Sequence, residues 1–316
     1  MTNATHILHD CRTGKISNTL FHEKLGTLIA RLSGNILKHI SYVGFSKIAK
    51  LISIFLPSKK PIRTVLNANS MFEYPYGDQY WGMLIASNGE YSREEQDFLK
   101  SCHDIDYAFI DCGANYGFMS VLVTSDEYGN KPSFAIEADP NTFKHLKHNA
   151  QLNDDRFKIN HRAVFSKSGE LVNIHGNKHE ARSILNDEGK STSGNVETLA
   201  LNDVKPWIKK QKAQKVILKL DVEGVEIDAL KGADKLLEED ILIMFEDHGN
   251  DTSNETSRYF MEVLGMQVYY SDTHGCRQLT SLDDVMKLKR NPRVGYDLIA
   301  TKSDFWLKHI HSVKYI

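Results

Sequence analysis

Two stretches of the chain combine acidic side chains with glycine in a way that suits chemistry. The first is Asp111-Cys112-Gly113-Ala114-Asn115-Tyr116-Gly117, with Glu137 twenty residues beyond it. Gly113 and Gly117 let the backbone turn tightly and approach a ligand, and a helix starting there would present its N-terminus. Asn115 and Phe118 interrupt the G-x-G-x-x-G spacing of a dinucleotide fingerprint. Asp111 would also set a carboxylate beside a pyrophosphate, so the turn suits a cationic ligand better. Glu137 stands where a carboxylate can accept hydrogen bonds from ribose hydroxyls.

The second stretch is split between Lys219-Leu220-Asp221-Val222-Glu223 and Glu246-Asp247-His248. Histidine titrates nearest neutrality, so His248 is a candidate to take a hydroxyl proton. Asp221 is the other candidate base, or a group that orients cofactor and acceptor; the plainer reading of both is a strand-end cap or surface cluster. Asp221, Glu223, Glu246 and Asp247 carry the oxygen ligands that magnesium prefers. Such clusters are common without metal, so none is assigned. Lys219 interrupts an apolar run, where a buried charge needs a partner. Glu246 is the expected one.

These residues need a frame that brings them together. Short apolar runs at 107–112, 133–137, 157–165, 216–221, 241–246, 267–270 and 295–301 read as strands. Helical patterns at 116–124, 140–152, 225–231 and 255–264 alternate with them, and Pro140 fits a first helical turn. Alternation of this kind indicates an α/β domain on a mainly parallel sheet. Its ligands bind beyond the carboxyl ends of the strands, where the strand order reverses. Residues 168–202 read as an insertion with strand-like runs at 171–175 and 196–201.

Three segments, FIDCGANYG (109–117), IEADPNTFKHLKHNAQLN (136–153) and LKLDVEGVEIDALKGA (218–233), resemble class I S-adenosylmethionine-dependent methyltransferases of the FkbM type. The resemblance runs from about 107 to 301. It implies a Rossmann-like sheet of seven strands, the last one reversed, with helices on both faces. It further implies that Asp111, Gly113, Ala114, Asn115 and Gly117 cradle the methionine part of S-adenosylmethionine, that Glu137 binds its ribose, and that Ala163, within 162–165, lies near its adenine. The acceptor it implies is a hydroxyl of a carbohydrate or related metabolite. A sulfonium cation agrees with the acidic character of the glycine turn. Two readings stand beside this one: a nicotinamide-dependent oxidoreductase, disfavoured by Asp111 and the broken glycine spacing, and an adaptor acting through the N-terminal region.

That region is unusual in charge. The whole chain of 316 residues has 39 Lys plus Arg against 41 Asp plus Glu, a formal charge of -2, which excludes a generic polyanion binder; no nucleic-acid partner is expected. Yet no acid lies between Glu23 and Glu73, where eight basic residues fall, leaving -10 for the remainder. Within this window 36–56 reads as one amphipathic helix, with Leu37, Ile40, Ile48, Leu51 and Phe55 at helical spacing. Lys38, Lys47 and Lys50 argue against a membrane span. Residues 31–63 are therefore expected either to touch an anionic membrane surface or partner, or to pack their apolar arc on the main domain with the lysines in water. The expected organisation is a helical N-terminal extension (1–104), the methyltransferase domain (105–302) and a C-terminal tail (303–316). Four scattered cysteines without a C-x-x-C pair suggest neither zinc nor a disulfide framework. The first twenty residues lack a secretory apolar stretch. The expected location is the cytoplasm, with contact at the inner membrane surface through 31–63.

Overall fold

The computed structural model describes residues 5–40, 42–175, 192–272 and 275–313. The N-terminal segment contains β1 (Ile7–Asp10), β2 (Lys15–Ser17), α1 (Phe21–Leu37), α2 (Phe45–Phe55), β3 (Ile62–Val65), β4 (Met71–Tyr74), α3 (Met83–Ala86) and α4 (Arg93–Ser101). It is thus not helical throughout: β2-β1-β3-β4 form a four-stranded sheet of their own. The single helix expected over 36–56 is broken. Its first two residues close α1, a 3-10 turn covers Lys38–Ile40, and α2 starts only after Gly44, at φ 93°. That left-handed conformation is cheap for glycine and ends helical continuity.

The next stretch supplies β5 (Tyr107–Cys112), α5 (Phe118–Val123), β6 (Ser133–Glu137), α6 (Pro140–Leu152), β7 (Lys158–His161) and β8 (Ala163–Val164). All six residues of β5 are buried, as a central strand covered on both faces requires. Helix α5 begins two residues later than expected because 113–117 form the turn, with Gly117 at φ 89°. Asp139 caps α6 by accepting from the Asn141 and Thr142 amides, and Pro140 takes its first turn. The expected strand 157–165 is split at Arg162: β7 stays in the main sheet and β8 joins another.

In the insertion, β9 (Leu171–His175) and β10 (Thr192–Leu199) pair antiparallel, and β8 completes a three-stranded sheet. The chain then forms α7 (Lys205–Gln211), β11 (Lys215–Leu220), α8 (Glu226–Lys231), β12 (Asp240–His248), α9 (Glu255–Arg258) with a π-helical turn over Tyr259–Val263, β13 (Gln267–Asp272), β14 (Gly275–Leu279), α10 (Leu282–Leu288), β15 (Gly295–Thr301) and α11 (Asp304–Ser312). The C-terminal tail therefore holds a helix, and Trp306 on it is fully buried.

The main sheet has the order β14-β13-β15-β12-β11-β5-β6-β7. From β7 to β12 it is parallel, and β15 runs antiparallel between β12 and β13. All seven expected strands are present and the last is reversed; the hairpin partner β14 adds an eighth. The strand order reverses between β5 and β11, so a crevice opens at their carboxyl ends. One apolar cluster fills the space between the N-terminal segment (Ile7, Phe45, Phe72, Trp81), one face of the sheet (Phe109, Ile217, Leu242) and the C-terminal helix (Trp306, Ile310). The other face packs Ile110, Leu218 and Ile243 against Leu230 and Leu236.

Candidate functional site

The glycine turn after β5 is tied to its neighbours at several points. The Gly113 and Ala114 amides both donate to the Ile136 carbonyl on β6, at 3.0 and 2.9 Å. Gly113 has φ 74°, and a Cβ there would lie 1.7 Å from the Asp221 carbonyl oxygen. The ends of β5 and β11 meet so closely that only glycine fits. Gly117 has a different duty. A Cβ on it would come 2.6 Å from Leu146, so it lets α5 and α6 pack and does not line the cavity.

Asp111 is buried and accepts a 2.7 Å hydrogen bond from Ser120, which in turn accepts one from Ser133. Burial raises its pKa despite these donors and the nearby Lys219. Glu137, at the end of β6, accepts from the Asn115 amide (2.9 Å) and the Asp139 amide (2.8 Å), one on each carboxylate oxygen. Burial still pushes its pKa up to about 7.

Asp111, Gly113, Ala114, Asn115, Glu137 and Ala163 line one cavity of about 400 Å³, together with Asp221, Glu223, Glu246 and His248. The cofactor candidates other than Gly117 and both catalytic candidates therefore share a single space, of the size of small-molecule sites. His248, at the end of β12, is half-buried, and its Nδ1 lies 4.0 Å from Glu246 Oε1, beyond hydrogen-bond reach.

Lys219 is buried, but its close partner is not Glu246. Its Nζ sits 2.9 Å from Asp221 Oδ2 and 3.9 Å from Glu95 Oε1 on α4. Asp221 is two residues away on the same strand face, whereas Lys219 stands in register with Met244 on β12. Burial would lower the pKa of Lys219, but Asp221, Glu95, Asp297 and Asp111 outweigh it and hold the ammonium protonated.

The acids outnumber this one buried cation. Burial, followed by repulsion from Asp221, Asp297 and Glu223, pushes Glu246 up to about 9. Burial and Asp297 push Glu95 up to about 8. Asp221, Glu223 and Glu246 present oxygens within 4.8 Å of one another. Asp247 does not join them: it is turned to the far side, bound to Ser257 and Lys289. The rim is arranged to receive positive charge.

Sequence reasoning missed the aromatic wall beside these acids. Tyr80, Trp81 and Tyr91 from the N-terminal segment line the same cavity. The Trp81 indole donates to Asn115 Oδ1 at 3.1 Å and stacks on Phe118, and the Tyr80 and Tyr91 hydroxyls bond to each other. The aromatic density of Phe72-Glu-Tyr-Pro-Tyr-Gly-Asp-Gln-Tyr-Trp81 was the available signal. Arg293 and Val294, on the loop before β15, complete the wall near His248.

The methyltransferase FkbM domain family matches residues 111–286, more than half of the chain. No curated protein matches. Among solved structures, methyltransferase FkbM from Methylobacillus flagellatus KT is similar with 14% identity and a TM-score of 0.40, over 70% of this chain and 53% of that one. The chain thus spans about half the length of that protein. Precorrin-6y C5,15-methyltransferase from Geobacter metallireducens GS-15 is similar at 14% identity and TM-score 0.38, over 66% of this chain and 86% of that one. P. horikoshii TYW2 in complex with MeSAdo is similar at 15% identity and TM-score 0.38, over 82% and 84% of the two chains. On the match over 111–286, the chain belongs to the FkbM family of methyltransferases, whose cofactor is S-adenosylmethionine.

Proposed function

We propose that this chain transfers a methyl group to a hydroxyl of a carbohydrate or related small metabolite. The observation that carries the reading is the cavity at the β5/β11 switch point, where Asp111, Glu137, Asp221, Glu223 and Glu246 converge around a glycine turn. Such a rim favours a cation. S-adenosylmethionine, when bound, supplies an electrophilic methyl on a sulfonium. Asp111 and the 113–115 backbone would hold its amino-acid end, Glu137 its ribose, and the stretch around Ala163 its adenine.

Direct displacement at a methyl carbon asks the protein mainly for alignment. The aromatic wall of Tyr80, Trp81 and Tyr91 keeps water from one side of the cavity. Lys219 fixes the Asp221 carboxylate at 2.9 Å and so sets the floor on which an acceptor rests. His248, on the open side, takes the hydroxyl proton. Arg293, which lines the cavity, supplies donors for a polar acceptor. The location belongs to the same proposal: the cytoplasm, with no described helix long and apolar enough to cross a membrane.

Incubating the protein with methyl-labelled S-adenosylmethionine and a fractionated cell extract tests the reading. Label on a hydroxyl-bearing small molecule, identified by mass spectrometry, is the expected result. Label found only on protein or nucleic acid, or no transfer despite tight cofactor binding, would overturn the acceptor class.

A further inference from the structure

Helix α1 is inverted with respect to ordinary amphipathic packing. Its buried positions are Glu23, Gly26, Thr27, Ala30 and Gly34. A Cβ on Gly26 would come 2.0 Å from the Tyr76 hydroxyl, and one on Gly34 would come 2.1 Å from the Ala86 carbonyl oxygen. The helix lies on the protein through its smallest side chains. At 100° per residue, Phe21, Leu25, Leu28, Leu32 and Ile36 fall within an arc of roughly 80° on the opposite side. All five are exposed, Phe21 at 85% and Ile36 at 72%. Helix α2 packs beside α1 and exposes Leu51, Ile54 and Phe55, the last at 74%. A soluble monomer rarely leaves so many large apolar side chains together in water.

The charges on this segment say what covers them. Lys24, Lys38, Lys47, Lys50 and Lys59 are exposed, while the buried Glu23 is already engaged by Lys60 and Ser58. A second copy of the same face would set one lysine-bearing surface against another, with no exposed acid on α1 or α2 to offset the repulsion. We propose that α1 and α2 form a docking surface for an anionic lipid bilayer. The apolar stripe enters the headgroup boundary and the lysines meet lipid phosphates, as in interfacial helices that bind without spanning. The surface uses 21–36 as much as the expected 31–63, and it is separate from the cofactor cavity.

Co-sedimentation of the full chain with vesicles tests this, comparing phosphatidylcholine alone with equal parts phosphatidylcholine and phosphatidylglycerol. The expected result is pelleting with the anionic vesicles, weakened by added salt. Leu28→Glu/Leu32→Glu should abolish it, and each of Lys47→Glu and Lys50→Glu should weaken it about fivefold or more. Circular dichroism and melting temperature of these variants should match the parent, because every changed side chain faces outward. Three outcomes would overturn the proposal: no pelleting with anionic vesicles, pelleting that survives Leu28→Glu/Leu32→Glu, or a lipid-free dimer in sedimentation equilibrium that those substitutions dissolve.

Discussion

His248 and Glu246 close the same strand in different surroundings. Glu246 is crowded by acids and keeps its proton at neutral pH, whereas His248 stands at the open side of the cavity with no hydrogen-bonded carboxylate on its ring among the described residues. His248→Ala should therefore lower kcat by about 10²- to 10⁴-fold and leave S-adenosylhomocysteine affinity by calorimetry unchanged. Glu246 makes a second prediction. Its folded pKa lies above the ordinary carboxylate value, so the folded chain binds more protons than the unfolded one from about pH 4.5 up to about 9. The stability this contributes is present at the acid end of that window and is lost as pH rises through it. Urea denaturation across this range should show falling stability, and Glu246→Gln should flatten the slope. At this scale the sequence was informative where chemistry and turn coincide: Asp111, Gly113 and Glu137 are legible because a glycine turn between strand and helix constrains its neighbours. The Lys219–Asp221 pair was misassigned because a sequence does not say which of several nearby acids faces a buried ammonium.

Elements were legible to the degree that their pattern is local. β5, β6 and β12 are continuous apolar runs ended by acids, β11 departs from one inside the strand only at Lys219, and such runs read directly as buried strands. β14 has only two buried residues and was invisible until its pairing with β13 gave it a role. The break between α1 and α2 depends on one glycine conformation, which periodicity does not reveal. Helix α11 shows how much a short terminal element contributes. Trp306 is fully buried and its indole donates to the Asp240 carbonyl at the start of β12. Trp306→Ala should cost about 3 to 5 kcal/mol, measured by chemical denaturation, which is much of the margin of an ordinary domain.

At the scale of the whole molecule, the N-terminal segment completes the methyltransferase half in two ways. It supplies the aromatic wall of the cavity, and it fills the apolar layer over one face of the sheet. A fragment beginning at residue 105 should therefore fail to give a cooperative thermal melt and should aggregate, as followed by scanning fluorimetry and light scattering. The packing of an apolar arc on the main domain was legible, and Phe45, Ala49 and Ile52 make it; the aromatic wall and the second, outward apolar face were not, because the apolar residues of this segment serve two surfaces at once. The shared layer also fixes an order of events during synthesis. Ile7, Phe45 and Phe72 share their cluster with Trp306 and Ile310, which are made well after them. At about 5 to 20 residues per second, α1 and α2 wait on the order of 10 to 50 seconds for α11 to leave the ribosome. During that interval their inner and outer apolar faces are both open, so a nascent chain stalled before residue 304 is the form most in need of a chaperone.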